Sequence, residues 1–335
     1  MSNTNHRILL RARPEGVAGP EHFSVDAAPP RAPGPDEVAL ETLYVSVDPA
    51  MRVWLGEAPG YVTPVKPGEV MRAGGIGRVV ESRASGLAPG DLVLGRLGWQ
   101  TRPTVPAASV TRIDPGLGEP LDWLGPLGTT GLTAYFGVRS VGRVTEGETV
   151  VVSAAAGGVG QVAAQVAKLD GARVVGIAGG PEKCAFLTGD LGLDAVIDRR
   201  GEPDIGAALE RACPDGIDFY FDNVGGPILE AVLDNLRVRA RVAVCGRISQ
   251  TALRVPHGIR NLGNLIGKRA RVEGFLVSDF ADEFSAARHW LAERLRGGEL
   301  RHRLHVLEGL ERAPEGLTML FSGENIGKLV VSVGG

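Results

Sequence analysis

Hydrophobic positions change character along this chain. Up to about residue 120 they come in short runs broken by Pro and Gly, as at 7–10, 37–44 and 91–94. Punctuated runs of that kind predict a compact, irregular β-barrel. From residue 149 the pattern becomes regular. Near-continuous apolar runs at 149–153, 172–178, 194–198, 216–222, 240–245 and 271–277 read as buried parallel strands. Between them, 161–168, 202–213, 226–238 and 280–296 carry the spacing of helices. That rhythm predicts an α/β unit with a doubly wound parallel sheet. Two late stretches, 318–321 and 327–333, look strand-like and are expected to return to the barrel. A length of 335 residues suits two domains. The boundaries predicted are 1–123 for the barrel, 124–298 for the α/β unit and 299–335 for the return. The active site is expected in the cleft between the two.

The most informative segment is Thr149-Val-Val-Val-Ser-Ala-Ala-Ala-Gly-Gly-Val-Gly160, followed by an Ala/Val-rich helix. A β-branched strand, a small-residue turn and a helix set a pyrophosphate against a helix N-terminus. Ala155 stands where the usual glycine pattern starts, and Gly157, Gly158, Val159 and Gly160 complete it. The alternative is a plain glycine-rich turn, but the flanking strand and helix supply the context the pattern needs. About 20 residues further on, dinucleotide sites usually carry an acid for the ribose hydroxyls. Here Gly179, Gly180 and Pro181 stand there, with Lys183 close behind. Loss of the acid and gain of a cation favour NADP(H), whose extra phosphate an acid would repel. Arg199 and Arg200, after the third strand, can add to the same pocket, or be solvated surface charges. Ligands of such sheets lie beyond the carboxyl ends of the strands. The segments Asp222-Asn-Val-Gly-Gly226, Gly246-Arg-Ile-Ser249 and Phe275-Leu-Val277 all fall there.

Composition narrows the class. A formal net charge of -3 gives no electrostatic case for nucleic acid. No apolar run reaches membrane-spanning length. The polar start of the chain lacks the apolar core of a signal peptide, so a soluble cytoplasmic enzyme is expected. The three cysteines and six histidines show no metal-ligand spacing, and no metal is expected.

With these residues in place, the chain resembles the zinc-free medium-chain dehydrogenase/reductases, in the branch of prostaglandin reductases, plant double-bond reductases and bacterial curcumin reductases. The markers include Ser46-Val-Asp-Pro-Ala-Met-Arg52, Gly131-Leu-Thr-Ala-Tyr-Phe136, Ser153-Ala-Ala-Ala-Gly-Gly-Val-Gly160, Phe219-Tyr-Phe-Asp-Asn-Val-Gly-Gly226 and Glu273-Gly-Phe275. They span nearly the whole chain. The resemblance implies a GroES-like substrate barrel from both chain ends, a Rossmann domain between them, NADPH as hydride donor, and a homodimer. It places Gly157–Gly160 at the pyrophosphate and Lys183 at the 2′-phosphate. Asn223, the 245–251 loop with Cys245, Gly246, Ile248 and Ser249, then Phe275, Leu276, Val277 and Asn325 are implied around the ribose and nicotinamide. Relatives commonly carry Tyr where this chain has Arg199, and many carry Tyr where Thr251 and Gly267 stand here.

The implied chemistry is reduction of the C=C bond of an α,β-unsaturated ketone or aldehyde. Charge then develops on the carbonyl oxygen, which needs a hydrogen-bond donor. With the two tyrosine positions altered, Tyr61 and the cofactor's ribose hydroxyl are the candidates. Met51, Arg52 and Trp54 are further candidates for approaching the substrate. Arg254 and Arg260 face either a substrate carboxylate or solvent. Three alternatives share the motifs: a quinone reductase, an NADP-dependent allylic alcohol dehydrogenase, and a non-catalytic NADPH-binding sensor.

Overall fold

Val38, Leu40 and Thr42 are buried while Glu37, Ala39 and Glu41 between them stay partly exposed, the period-two alternation of a strand with one face on a core. A computed structural model describes residues 4–57 and 62–334, and among them this strand is the centre of the N-terminal unit. Its neighbours in the chain are β1 (Asn5–Leu10), β2 (Phe23–Ala28), β3 itself (Glu37–Ser46), β4 (Gly74–Ser82), β5 (Leu92–Arg96), β6 (Thr104–Pro106) and β7 (Val110–Arg112). β3 pairs antiparallel with β4 and β6, and β4 with β5. β1 and β2 form a separate antiparallel pair. Two apolar clusters fill the unit. Val38, Leu40, Val79, Val93 and Leu97 make one, and Leu10, Met51, Met71, Trp99 and Leu317 belong to the other. This is the irregular β unit expected for the substrate half.

The second unit holds β8 (Thr149–Ser153), β9 (Arg173–Ala178), β10 (Ala195–Asp198), β11 (Ile217–Asp222), β12 (Leu236–Val244) and β13 (Arg271–Gly274). They lie in the order β10-β9-β8-β11-β12-β13, and every pairing is parallel. The chain enters at β8, winds outward through β9 and β10, then returns beside β8 as β11. The reversal leaves a crevice between the carboxyl ends of β8 and β11, where doubly wound sheets bind ligands. Val150–Val152 and Val174–Val175 have no exposed surface, as expected of strands covered on both faces. Among the described residues no helix is long and apolar enough to cross a membrane.

Two late strands, β14 (Leu304–Glu308) and β15 (Lys328–Ser332), complete the first sheet, where β15 pairs antiparallel with β3. The first unit therefore comprises residues up to Leu124, Leu304–Asn325 and those from Leu329 on, and the second comprises Gly125–Arg303 and Ile326–Lys328. The predicted boundary at 299 differs for a definite reason. Gln165 donates to Arg301 O (2.7 Å) and accepts from Arg301 N (2.8 Å), and Gln161 does the same at Arg303 (3.1 and 2.9 Å). These side chains act as a strand edge for residues 301–303, which stay with the second unit.

Other expectations need correction. Residues 318–321 are not a strand but part of the helix Ala313–Ser322. Its buried side is Ala313, Pro314, Gly316 and Leu317, and Gly323 ends it in the left-handed conformation at φ 70°. The helix predicted over 226–238 stops at Asp234, and β12 starts at Leu236, with Arg239 at φ 68° and a register shift against β11. β13 ends at Gly274, and all four of its residues are exposed.

Candidate functional site

At the end of β8 the chain turns sharply. Ala154 adopts φ 47°, Gly157 N donates back to Ala154 O (2.9 Å), and Ala155 N donates to Ile177 O of β9 (3.0 Å). The helix Gly158–Leu169 starts at once, with Gly157 as its N-cap. A Cβ on Gly160 would collide with Ala154 O and lie 2.8 Å from Ala155 Cα, so only glycine lets the helix sit this close to the strand end. Gly327 N donates to Ala156 O (2.7 Å) and holds the far side of the turn. The first-turn N–H groups of a helix lack intrahelical partners, and its dipole favours negative charge there. Ala155 to Gly160 thus form a cradle suited to a pyrophosphate.

A second group assembles at the ends of β9 and β10. Asp198 Oδ1 accepts from Gly180 N (2.7 Å) and Arg200 N (2.9 Å), which clamps the 179–180 turn to β10. Those donors hold the Asp198 carboxyl below its usual range. Gly180 stands at φ +97°, a conformation that L side chains rarely adopt. A Cβ on Gly179 would lie 3.2 Å from Arg199 Nε and 3.3 Å from Arg200 Nε, so both guanidinium groups flank that glycine. Lys183 completes the patch. Burial, then the charges of Arg200 and Arg199, push its ammonium down to about 8. Three cations held this close repel one another, and a phosphate dianion offsets that repulsion. The patch fits the 2′-phosphate of NADP(H) on this geometry. It brings Gly179, Lys183, Arg199 and Arg200 together.

The third group occupies the crevice between β8 and β11. Asp222 is fully buried, and its Oδ1 accepts from Tyr220 OH (2.8 Å), Val224 N (2.9 Å) and Gly225 N (2.8 Å). Its Oδ2 has no hydrogen-bond partner, and burial raises the carboxyl above its ordinary range. Asn223 is anchored on β8, its N donating to Ser153 Oγ (3.0 Å) and its Nδ2 to Ser153 O (2.7 Å). The turn after β12 docks on the same strand end. Cys245 N and Gly246 N donate to Asp222 O, Ile248 N to Asn223 O, and Ser249 Oγ to Val224 O (2.7 Å). Asn223, Cys245, Gly246, Ile248 and Ser249 are therefore brought together. Burial, then Asp222, pushes the Cys245 thiol up to about 12, so it stays protonated. Phe275 packs its ring edge-on to Phe221, 6.4 Å between centroids, while Leu276 is exposed and Val277 opens a 3₁₀ turn.

The other candidates have settings of their own. Asn325 is buried and belongs to the first unit. Tyr61 lies outside the described residues. Arg52 is buried and donates to Gly16 O (2.6 Å) and Pro14 O (2.9 Å), and Met51 lies in the core, so both hold the first unit together. Thr251 Oγ1 donates to Ile248 O (3.3 Å), and Gly267 lies in the short helix Asn264–Lys268 with open space around it. Arg260 is bound to Glu230 through its backbone N, Nε and Nη2 (2.7, 3.0 and 2.9 Å), while Arg254 is exposed. Burial and Asp198 push the Cys184 thiol up, against any special reactivity. Sequence reasoning missed Asp198 and Ser153 as supports of the site, and it placed Asp222 and Gln250 there only as members of the 222–226 and 245–251 segments, without a role of their own. An acid directly at the end of a strand, before glycines, is the one signal that could have marked Asp222. Among the described residues no three His, Cys, Asp or Glu side chains form a group able to hold a metal.

Comparison with known proteins places this geometry. Residues 6–113 match the family model described as N-terminal domain of oxidoreductase, and 158–293 the one described as zinc-binding dehydrogenase. The chain is 38% identical to the NADPH-dependent curcumin reductase of Escherichia coli, over 99% of this chain and 97% of that protein. It is 42% identical to the NADP⁺-dependent 2-alkenal reductase of Nicotiana tabacum, over 90% and 88%. Among solved structures, CurA of Vibrio vulnificus in complex with NADPH superposes with a TM-score of 0.93 at 36% identity, covering 98% of this chain and 99% of that one. The chain belongs to the medium-chain dehydrogenase/reductase superfamily, in the branch of the curcumin, 2-alkenal and prostaglandin reductases.

Proposed function

We propose that the protein is an NADPH-dependent reductase of the C=C bond of α,β-unsaturated ketones and aldehydes. The observation that carries the cofactor choice is the patch of Lys183, Arg199 and Arg200 around Gly179, within one unit with the glycine cradle. The names of the relatives support the reaction. NADPH, when bound, supplies the hydride delivered to the β-carbon of the substrate. The chain's own residues hold and orient. The first-turn N–H groups after Gly157 take the pyrophosphate, and Lys183 with the two arginines takes the 2′-phosphate. Asn223, Cys245, Gly246, Ile248, Ser249, Phe275 and Val277 border the ribose and nicotinamide, with Asn325 assigned there by the resemblance alone. Tyr61 is assigned as the donor to the carbonyl oxygen, where the developing charge needs one. In this reading the first unit is the substrate domain and the second the cofactor domain.

Two further assignments belong to the same reading. The protein acts as a homodimer, which is supported by the exposed edge strand β13 and by Val255 and Ile266, 80% and 83% exposed in the same unit. Open edges and apolar patches are surfaces that proteins ordinarily cover. A cytoplasmic location is supported by three free cysteines, which suit a reducing compartment.

The test is consumption of NADPH and NADH against a trans-2-alkenal, an aryl enone, a quinone and a saturated aldehyde. The expected result is loss of NADPH with the first two, saturated carbonyl product, and no turnover of the last. Turnover of quinone alone would make it a quinone reductase. NADPH binding without turnover of any of them would make it a sensor.

A further inference from the structure

The loop after β12 is tied down a second time, on the helix that follows β11. Residues 250–261 run back along the helix Gly226–Asp234, and Glu230 on that helix collects their donors. Its Oε1 accepts from Arg260 N and Nε, and its Oε2 from Arg260 Nη2 (2.9 Å) and His257 Nε2 (2.7 Å). Asn261 Nδ2 bonds Glu230 O one bond further along, at 2.8 Å. Charge-assisted bonds of this number are strong, and those donors hold the Glu230 carboxyl far below its usual range.

The same tie continues towards the crevice. His257 N donates to Gln250 Oε1 (2.7 Å), and Gln250 Nε2 to Ser249 Oγ (2.6 Å). Ser249 Oγ in turn donates to Val224 O (2.7 Å), in the turn whose N–H groups rest on Asp222. Gln250 is 7% exposed and packs beside Gly225 and Gly226. A series of hydrogen bonds thus joins Glu230, whose side chain is only 12% exposed, to the two turns assigned to ribose and nicotinamide. Buried polar series that are fully satisfied rigidify what they connect.

We propose that Glu230 is a positioning residue for the nicotinamide half of the cofactor site, acting through His257, Gln250 and Ser249 on the turns at 223–225 and 245–249. The proposal rests on the functional reading above. Glu230 touches neither cofactor nor substrate in it. Its effect is selective, because the patch at Gly179 is built at the ends of β9 and β10, across β8 from the β11 and β12 turns that the series supports.

The experiment compares binding of NADPH with that of adenosine 2′,5′-bisphosphate, which carries the adenosine half alone, in the wild-type protein and in E230Q and Q250A. Wild-type protein that binds neither probe would sink the functional reading itself. If wild type binds both, E230Q is expected to weaken NADPH and lower kcat by roughly tenfold or more, the scale on which small misplacements act. Binding of the bisphosphate is expected to stay unchanged. Q250A, which breaks the series between His257 and Ser249, is expected to show the same split and serves alone if E230Q does not fold. Wild-type NADPH affinity and kcat in the variants would overturn the proposal. So would parallel weakening of both probes, the signature of a merely structural role.

Discussion

At the residue scale the site is built from close approach and from charge. Gly160 has no room for a methyl group, since Ala154 O occupies that space. Gly160→Ala is expected to cost about 1–3 kcal/mol of stability through overpacking, read as a lower urea midpoint, and to weaken NADPH with it. Lys183 makes a pH prediction. Its ammonium, pushed down to about 8 from 10.5, is the form that binds a phosphate. NADPH affinity is therefore expected to fall as pH rises through about 8, while NADH affinity stays flat, in a titration from pH 6.5 to 9.5. Stability moves the other way. Between about 8 and 10.5 the folded chain binds fewer protons than the unfolded one at this site, so its contribution to stability rises with pH in that window. Lys183→Gln is expected to weaken NADPH by roughly 10–100-fold, the worth of a hydrogen bond to a charged group. An equal loss for NADH would assign the lysine elsewhere.

At the element scale, regular parts were legible and mixed ones were not. The strands at 149–153 and 173–178 are buried on both faces, so their apolar runs identify them without reference to anything distant. Residues 318–321 were misread because four apolar or small residues fit either period. Their helix is decided by the partners of Ala313, Gly316 and Leu317 in the core of the first unit. The glutamines of the helix Gly158–Leu169 carry a further lesson. Gln161 and Gln165, one turn apart and 1% and 4% exposed, look like polar misfits among apolar neighbours until residues 301–303 are seen paired with them. Gln165→Leu strands the N–H and C=O of Arg301. It is expected to cost about 1–3 kcal/mol for each of these backbone groups that stays buried without a partner. Urea unfolding at constant m-value would measure it; a change under 0.5 kcal/mol would show that water replaces the amide.

At the scale of the whole molecule, the exposed edge of the second unit is the feature with a consequence. Ile266→Lys together with Val272→Lys is expected to turn a dimer into a monomer in light scattering, with the far-ultraviolet circular dichroism unchanged. A dimer that survives both would move the interface off this edge. The amino-acid sequence by itself determined the doubly wound sheet, the glycine cradle and the NADP(H) preference. Their signals are local, since each strand run, turn or helix start takes only a few residues, while the pairing of β8 with β11 and the meeting of Gly179 with Arg199 are made by the fold. Only the tertiary structure decided which polar side chains hold the site in shape. Asp198 clamps a turn 18 residues away, Arg260 closes on a carboxylate 30 residues away, and Gln161 reaches a backbone 142 residues away. A buried polar group takes its role from whichever donor or acceptor the fold brings to it. Hydrophobic periodicity carries no record of that partner, so the supports of the site come into view only when the chain is folded.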